Sequence, residues 1–411
     1  MSKVLTSQHI AELRAYAERL HPELVDLRRT LHRYPETAFE EEKTAALAAS
    51  LLEEAGLAVT TGIGRTGVVA ELRGAVPGPT IALRADMDAL PIGEETGLPF
   101  ASERAGFMHA CGHDVHTAIL IGAARLLAAH RHLLAGTVRF ILQPAEEINA
   151  GAKAMLADGV LRDVDSIYAL HNLPTLPAGQ VAVRQGPMMG SVDRIELVIE
   201  GKGGHGAIPD QSIDPIVAAS AIVMGLQTAV SRELSPFDSA VVTIGSLLAG
   251  EANNVIPHRA LLTGTVRTFS PEVQELMPER LKRLSSHIAE AYRCKAELRY
   301  IPQTPVLAGD ARCVEQVERV ARTLLGEDRL KEAQPTMAGE DFAVFLQHVP
   351  GSLFWLGSGP ASRAEQAFGL HHPKFVVDEA CLVEGVLMMA ALALEESGQW
   401  TERGRPHQAA D

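Results

Sequence analysis

The sequence places one cysteine and three histidines within nine residues, in the stretch MHACGHDVH at positions 108–116. Cys111 and His113 lie two positions apart, so an extended backbone would direct both side chains to the same side. Gly112, between them, lets the chain approach closely. The apolar segment that follows is typical of a helix, and a helix N-terminus favours the thiolate form of cysteine, which binds metals. The stretch therefore indicates a metal site, although a reduced loop cysteine beside surface histidines has the same residue types.

A pair of carboxylates, Glu146 and Glu147, follows the apolar run 137–143. Adjacent side chains at the end of a strand point in different directions. One carboxylate could therefore bind a metal while its neighbour handles a proton of a metal-activated water. An isolated Glu-Glu pair is more typical of a solvated acidic turn.

Three further polar groups follow predicted strands or precede a helix. Asp86 and Asp88 follow one strand, His171 follows another, and His371 and His372 precede the last helix. Each group by itself is typical of a polar loop. In an open α/β sheet, however, ligands bind at the carboxyl ends of the strands. The two aspartates, His171 and the glutamate pair occupy such ends, and the cysteine-histidine loop precedes a helix on the same edge. Thiolate, imidazole and carboxylate ligands suit Zn, Mn, Co or Ni, and their number allows two metal ions.

Hydrophobic spacing predicts the elements that would position these groups. It predicts a helix within the first thirty residues and further helices at 40–55, 115–134, 312–325 and 379–396. Short apolar or β-branched runs predict strands at 67–72, 80–84, 137–143, 166–170 and 352–357. Strands that alternate with helices indicate an α/β sheet with covered faces.

The middle of the chain has a different pattern. It predicts a strand, a helix, two strands, a helix and a strand, at 192–200, 214–232, 240–248, 260–269, 271–292 and 295–301. This is the order of a ferredoxin-like module. We therefore predict a catalytic domain in two segments, 1–187 and 303–411, interrupted by a smaller inserted domain, 188–302.

Composition restricts the classes of partner. The 411 residues include 51 acidic and 37 basic side chains, for a formal net charge of -14, and only 4% are aromatic. This balance argues against nucleic acid or an anionic membrane as a partner. The apolar runs are too short to span a bilayer. The four cysteines are scattered, and the N-terminal residues contain no apolar signal segment, so we expect a reduced, cytoplasmic protein.

Nine short motifs together resemble a known family. They are LHRYPE (31–36), RADMDALP (84–91), HACGHD (109–114), QPAEE (143–147), HNLP (171–174), GGHG (203–206), NNVIP (253–257), AGEDF (338–342) and HHP (371–373). In this order they resemble the dinuclear metallopeptidases of the aminoacylase and carboxypeptidase type. They are most similar to the amidohydrolase branch, which includes hippurate hydrolases, N-acyl-amino-acid amidohydrolases and auxin-conjugate hydrolases. The resemblance implies a zinc-peptidase-like mixed-sheet catalytic domain with an inserted ferredoxin-like lid or dimerisation domain.

The same resemblance implies roles for individual residues. Two divalent ions would be bound by Cys111, His113, Glu147, His171 and His371. Cys111 would bridge the two ions as a thiolate.

Beside these ligands, Glu146 would be the general base, and Asp88 would orient a ligand or tune the water. His371 is preferred over His372 because the family's last ligand is followed by one variable residue and a proline.

Three residues of the insert complete the implied site. His205 would stabilise the oxyanion, in related enzymes at the partner subunit's site, so we expect a homodimer or higher oligomer through the inserted domain. Asn254 and Arg267 also lie on the insert as implied substrate-binding residues. Arg267 could hold a substrate carboxylate, although an exposed strand arginine is an almost equal interpretation.

The predicted function is metal-dependent hydrolysis of the amide bond of N-acyl amino acids, such as hippurate-like, N-acetyl or aryl-acyl conjugates. One alternative is a metallo-carboxypeptidase or dipeptidase with the same apparatus. A different class of alternative is a catalytically inactive metal-binding protein, but an intact Glu146 beside a ligand argues against it.

Overall fold

The computed structural model describes residues 5–360 and 367–403. By internal contacts the chain divides into two compact units. The first consists of the residues up to 186, residues 308–334 and the residues from 344 on, and the second consists of 187–307 and 335–343. The predicted domain boundaries at residues 187 and 302 stay a prediction, because a division by contacts does not show which part of the chain folds independently.

The elements of the chain up to residue 183 form most of the first unit. They are α1 (Ser7–Arg33), α2 (Glu42–Glu54), β1 (Ala58–Ile63), β2 (Gly67–Arg73), β3 (Val76–Asp86), α3 (His113–Ala129), β4 (Ala135–Gln143), α4 (Gly151–Ala157), β5 (Ser166–Pro177) and β6 (Val181–Val183). A short 3-10 helix at Arg131–Leu133 follows α3.

The remaining elements follow in chain order. They are β7 (Gly186–Met189), β8 (Val192–Glu200), β9 (Gly204–His205), α5 (Pro215–Ser231), β10 (Ala240–Ala249), β11 (Val255–Ile256), β12 (Arg259–Thr268), α6 (Pro271–Ala291), β13 (Lys295–Thr304), β14 (Leu307–Gly309), α7 (Ala311–Leu325), β15 (Leu330–Glu332), α8 (Phe342–Leu346), β16 (Gly351–Gly359) and α9 (Cys381–Arg403). Two further 3-10 helices are Pro209–Gln211 and Glu327–Arg329.

The first unit is built on an eight-stranded mixed sheet in the order β1-β2-β4-β3-β5-β16-β6-β15. The four central strands β4, β3, β5 and β16 are mutually parallel. The carboxyl-terminal part of β3 and most of β5 are buried without alternation, as expected for parallel strands covered on both faces. The predicted mixed α/β catalytic fold is confirmed.

Helices α1, α3 and α9 share one hydrophobic core with the sheet. The side chain of Thr6 caps α1 by accepting a hydrogen bond from the His9 backbone N–H, and Leu13, Leu20 and Leu24 form the buried stripe of this helix. Helix α3 is buried on nearly all sides, which fixes its N-terminus relative to the sheet. That N-terminus carries His113.

The second unit contains a four-stranded antiparallel sheet in the order β10-β12-β8-β13. Its chain order of strand, helix, strand, strand, helix, strand is the predicted one, and β8 has the predicted bounds. Asp214 and Ser270 cap α5 and α6 by accepting hydrogen bonds from the backbone N–H groups of Ile216 and Val273. These two helices pack with the sheet around a separate core.

Two predicted bounds are wrong in ways that affect the site. Helix α3 begins at His113 rather than at residue 115. Strand β5 continues to Pro177 instead of ending at residue 170, because it stays paired with β16 beyond its last pairing with β3, at Ala169. His171 therefore lies inside a strand rather than after it. No helix among the described residues is long and apolar enough to cross a membrane.

Candidate metal centre

The carboxyl ends of β3 and β4 lie level with His171 within β5. Strand β3 ends at Asp86, which pairs in register with Gln143, the last residue of β4. His171 on β5 lies opposite Trp355 of β16. The predicted clusters therefore share one edge of the sheet.

Gly112 brings the side chains of Cys111 and His113 together through a tight turn rather than through the predicted extended backbone. The backbone is not extended here, because Gly112 has a φ of 94° and forms the left-handed N-cap of α3. A Cβ atom at this position would lie 1.9 Å from Oδ1 of Asn172, so any other residue would strain the turn and displace the Asn172 side chain. The turn, rather than strand alternation, places the thiol and the imidazole on one side.

Two groups of possible ligand atoms share Cys111. One is Cys111, His113 and His171, the other is Cys111, Glu147 and His371, and within each group the ligand atoms lie within 4.8 Å of one another. The Cys111 sulfur is 3.4 Å from Nε2 of His171. Atoms that bind one cation through bonds of about 2.0–2.3 Å lie roughly 3–4 Å apart, so this spacing fits a metal site.

His171 is oriented by its neighbour. Its Nδ1–H donates to the Asn172 carbonyl at 2.8 Å, which directs the lone pair of Nε2 towards Cys111. Burial and the neighbouring His116 hold the pKa of His171 well below its usual range. A neutral imidazole with one free lone pair is the form that binds a metal.

His113 lies among three carboxylates. Burial alone would lower its pKa, but Asp86, Asp88 and Glu147 outweigh burial and raise the pKa of His113 to about 10. Such a site stabilises positive charge, whether a proton or a cation. The buried atoms Nε2 of His113 and Oε1 of Glu147 have no hydrogen-bond partner among the described residues and are 3.8 Å apart. These orphaned atoms fit a shared cation.

Asp88 organises the acidic turn. Its two carboxylate oxygens accept the backbone N–H groups of Glu146 and Glu147, each at 3.0 Å, and Oδ1 is 3.3 Å from Nδ1 of His113. Both glutamate carboxylates have an oxygen within 4.8 Å of the His113 ring, so they share one space rather than pointing apart as predicted. The cause is the turn itself, which starts at Ala145 with a φ of 52°.

The two C-terminal histidines are distinguished by their surroundings. Nε2 of His371 is 3.4 Å from Oε2 of Glu147. His372 instead accepts the Lys374 N–H at 3.0 Å and stacks on Phe368. His371, with His113, holds the pKa of Glu147 below its usual value although burial raises it.

Several buried side chains around the cluster lie outside the predicted set of ligands and catalytic residues. His116 donates from Nδ1 to Asp86 at 2.5 Å and accepts the Asn172 N–H at 2.9 Å, so both of its nitrogens are used. Asp114 is 2.8 Å from Nδ1 of His32, a residue of α1.

Nε of Arg28, also on α1, is 2.9 Å from the Asp114 carboxylate, which extends this buried network. Asp114 belongs to the HACGHD motif and His32 to the LHRYPE motif, so both motifs point to this network, whereas Arg28 lies outside them.

In the second unit, His205 and Asn254 lie together. His205 on β9 pairs with Val255 on β11, and the Asn254 carbonyl accepts the Gly206 N–H at 2.8 Å. Both residues are exposed, and Nδ1 of His205 accepts the Ala207 N–H.

Arg267 lies elsewhere in this unit. It is near the far end of β12, eight residues from Arg259, or about 26 Å at the rise of a strand. Its guanidinium donates to Thr265 and to the Val266 carbonyl, and burial lowers its pKa. The structure thus brings Asn254 next to His205 but not next to Arg267.

Comparison with known families decides the assignment. The profile of peptidase family M20/M25/M40 matches residues 82–395. The chain belongs to this family.

Two relatives and one solved structure illustrate the match. The chain is 45% identical to N-acetylcysteine deacetylase of Bacillus subtilis, over 91% of this chain and 97% of that protein. It is 36% identical to thermostable carboxypeptidase 1 of Saccharolobus solfataricus, over 92% of this chain and 96% of that protein. The crystal structure of the Bacillus subtilis YXEP protein, described as a dinuclear metal-binding peptidase of the M20 family, has a TM-score of 0.81 and 42% identity and covers 93% of this chain and 99% of that one.

The M20 family assignment and the ligand groups agree. Family membership and these relatives make this chain a metal-dependent hydrolase that acts on amides. The two groups that share Cys111 and the dinuclear solved relative support two divalent ions.

Proposed function

We propose that this M20-family protein hydrolyses the amide bond of N-acyl amino acids, with hippurate-like, N-acetyl or aryl-acyl conjugates as substrates. One observation carries the proposal: Cys111 belongs to both groups of ligand atoms, and the acidic pair Glu146 and Glu147 lies beside them. This combination supplies two cation sites and one carboxylate in excess of the ligands. The similarity to an N-acetylcysteine deacetylase supports the substrate class.

The ligands divide between the two sites. Cys111 serves both sites, His113 and His171 complete one, and Glu147 and His371 complete the other. When bound, two divalent ions, Mn, Zn, Co or Ni, polarise the amide carbonyl and lower the pKa of a water molecule.

Glu146 acts as the general base. Its carboxylate has an oxygen within 4.8 Å of both the His113 and the Glu147 ligand atoms, and its side chain is mostly buried. It takes the proton of the attacking water and returns it to the departing amine, which leaves as a free amino acid. Asp88 fixes the backbone of Glu146 and Glu147 and acts as a positioning residue.

The second unit supplies the remaining groups. His205 stabilises the oxyanion, and Asn254 beside it binds the substrate. Arg267, near the far end of β12, can bind the same small substrate only from a different subunit. His205 and Asn254 lie on one exposed ribbon, which suits action on a second subunit.

Exposed apolar side chains on the same unit support a homodimer. They include Met224 on α5 and Leu248 on the edge strand β10, exposed by 73% and 64%. Sedimentation should give twice the 44.0 kDa chain mass for the wild type and a smaller mass for Leu248→Asp. A monomeric wild type would contradict the dimer.

The protein is expected in the cytoplasm, where the thiol of Cys111 stays reduced.

The central test separates metal binding from proton transfer. Glu146→Ala should keep its metal and lose turnover by about 10²–10⁴-fold, because only the proton transfer is removed. Glu147→Ala, the matched neighbour, should lose metal as well. Wild-type turnover in Glu146→Ala would exclude the mechanism.

A second candidate activity is that of a carboxypeptidase or dipeptidase. The 36% identity to a thermostable carboxypeptidase favours it. A hydrolysis panel of N-acyl amino acids and dipeptides, on enzyme reconstituted with Mn, Zn, Co or Ni, distinguishes the two activities. Cleavage of dipeptides alone would establish the second, and metal binding without any cleavage would indicate an inactive metal-binding protein.

A further inference from the structure

Glu41 is a buried carboxylate outside the proposed ligand set. It immediately precedes α2 and has no solvent exposure. Its Oε2 accepts the Thr66 hydroxyl at 2.6 Å, and its Oε1 accepts the Ala145 backbone N–H at 2.9 Å. Burial raises the pKa of Glu41, and these two hydrogen bonds oppose that effect. The second bond joins residues that are 104 positions apart in the chain.

Ala145 has a backbone conformation that an alanine rarely adopts. Its φ is 52°, in the left-handed region, where the Cβ atom is disfavoured. Such a conformation persists only where the surroundings impose it. Here the constraint is visible: Glu41 holds the N–H of Ala145, and Asp88 holds the next two N–H groups. Three consecutive backbone donors are thus fixed by two carboxylates from distant segments.

We propose that Glu41 is a positioning residue for the reaction, which acts through Ala145 to direct the carboxylates of Glu146 and Glu147. The inference rests on the proposed function, since it assigns an effect to the base and to a ligand. Without the Glu41 acceptor, the peptide before Ala145 can rotate to a more favourable φ. Because Glu146 is the next residue, this rotation turns its carboxylate away from the position needed for proton transfer.

The chain offers two matched controls. Glu36, another buried carboxylate near α2, accepts the Lys43 and Thr44 N–H groups and so stabilises the start of that helix. Glu36→Ala should therefore lower stability without a specific effect on catalysis. Thr66→Val removes the other hydrogen bond of Glu41 and leaves the bond to Ala145.

The experiment measures kcat, KM and metal content for Glu41→Ala, Glu41→Gln and the two controls. We expect kcat of Glu41→Ala to fall by about 10–100-fold with little change in KM, as is typical when a partner of an active-site group is lost. Glu41→Gln keeps an acceptor oxygen for Ala145 and should retain most of the turnover. Adding Ala145→Gly to Glu41→Ala should recover part of the loss, because glycine adopts a positive φ without strain. If Glu41→Ala does not fold, Glu41→Asp withdraws the acceptor by one methylene and should show the same loss.

A second measurement does not depend on activity. Amide hydrogen exchange of residues 145–150 in the metal-free protein should become faster in Glu41→Ala and stay unchanged in Glu36→Ala. Equal kcat and equal exchange in Glu41→Ala and Glu36→Ala would overturn the inference. An active Glu146→Ala would instead overturn the proposed function, while the exchange experiment would still decide whether Glu41 fixes the turn.

Discussion

The metal centre of the first unit and the two-stranded ribbon of β9 and β11 in the second unit, which carries His205, are built in opposite ways. His113 has no solvent exposure, is flanked by carboxylates and follows a glycine at which any other residue would be strained. His205 is exposed, and the hydrogen bond recorded for its ring comes from the backbone N–H of Ala207, two residues away. The first site is therefore preorganised by buried contacts within the chain, whereas His205 is held by a local backbone hydrogen bond on an exposed surface. Substitutions in the two regions should differ accordingly in their effects on metal content, stability and turnover.

The largest effect is expected for Cys111→Ala. Because Cys111 belongs to both ligand groups, its loss should lower metal content at both sites and reduce turnover below detection. Metal analysis and a turnover assay check this. Cys313→Ala, which removes another buried thiol of the same unit, should retain metal and turnover. Unchanged metal content in Cys111→Ala would exclude the bridge.

His371→Ala and His372→Ala should separate the two adjacent histidines. His371 faces Glu147, so it is expected to bind the metal directly. Loss of a residue that only supports a ligand typically weakens metal binding by about 10–100-fold, and His371→Ala should weaken it more. His372 accepts the Lys374 N–H, so its loss should leave metal affinity near the wild-type value. Titration calorimetry of the metal-free proteins measures both affinities. The reverse order of effects would move the ligand to His372.

His205→Ala should reduce kcat by about 10²–10³-fold, as expected for the loss of one oxyanion donor. Because the side chain is exposed, metal content and Tm should not change. The exposed His258, near the start of β12, is the matched control, and His258→Ala should be fully active. A loss of metal or of stability in His205→Ala would show that His205 also supports the metal centre or the fold.

The smallest effect is a pH dependence of stability from His32. Burial lowers the pKa of His32, but the hydrogen bond and charge of Asp114 outweigh burial, so the pKa is raised. Its contribution is therefore complete below the unfolded-state value of about 6.5 and is lost as the pH rises through the folded-state pKa.

Urea unfolding of metal-free wild type and His32→Gln measures this contribution. Glutamine keeps a donor but carries no charge. The difference in free energy of unfolding should be about 1 kcal/mol larger at pH 6 than at pH 9. A difference that does not vary with pH would mean that His32 is uncharged in the folded protein.

Local patterns predicted much of the second unit. The bounds of β8 were predicted correctly, and α5, β10, β12 and α6 begin and end within about one residue of the prediction. These elements alternate or repeat apolar residues along a half-exposed surface, so the period is visible in the sequence. In the first unit, by contrast, the short strand β1 was missed, because its side chains are largely exposed and its sequence shows no apolar alternation.

The position of His171 shows why the rest could not be predicted. A strand appears to end in the sequence where its apolar run ends, but β5 continues to Pro177 because β16 remains beside it. That neighbour is some 180 residues away in the chain, so only the tertiary structure shows that it is present. The left-handed turn at Gly112 and the different surroundings of His371 and His372 likewise depend on Asn172 and Glu147, which the local sequence does not contain.

The sequence by itself determined the chemical types of the groups, thiolate, imidazole and carboxylate, and the strands and helices that carry them. It determined these because ligand chemistry and hydrophobic periodicity are local properties. Only the tertiary structure decided which groups share a site, which nitrogen of His171 faces Cys111, and which buried carboxylates hold the turn before Glu146. Those contacts join residues that lie far apart in the chain and become neighbours only when the sheet and α3 pack together, so no local pattern specifies them.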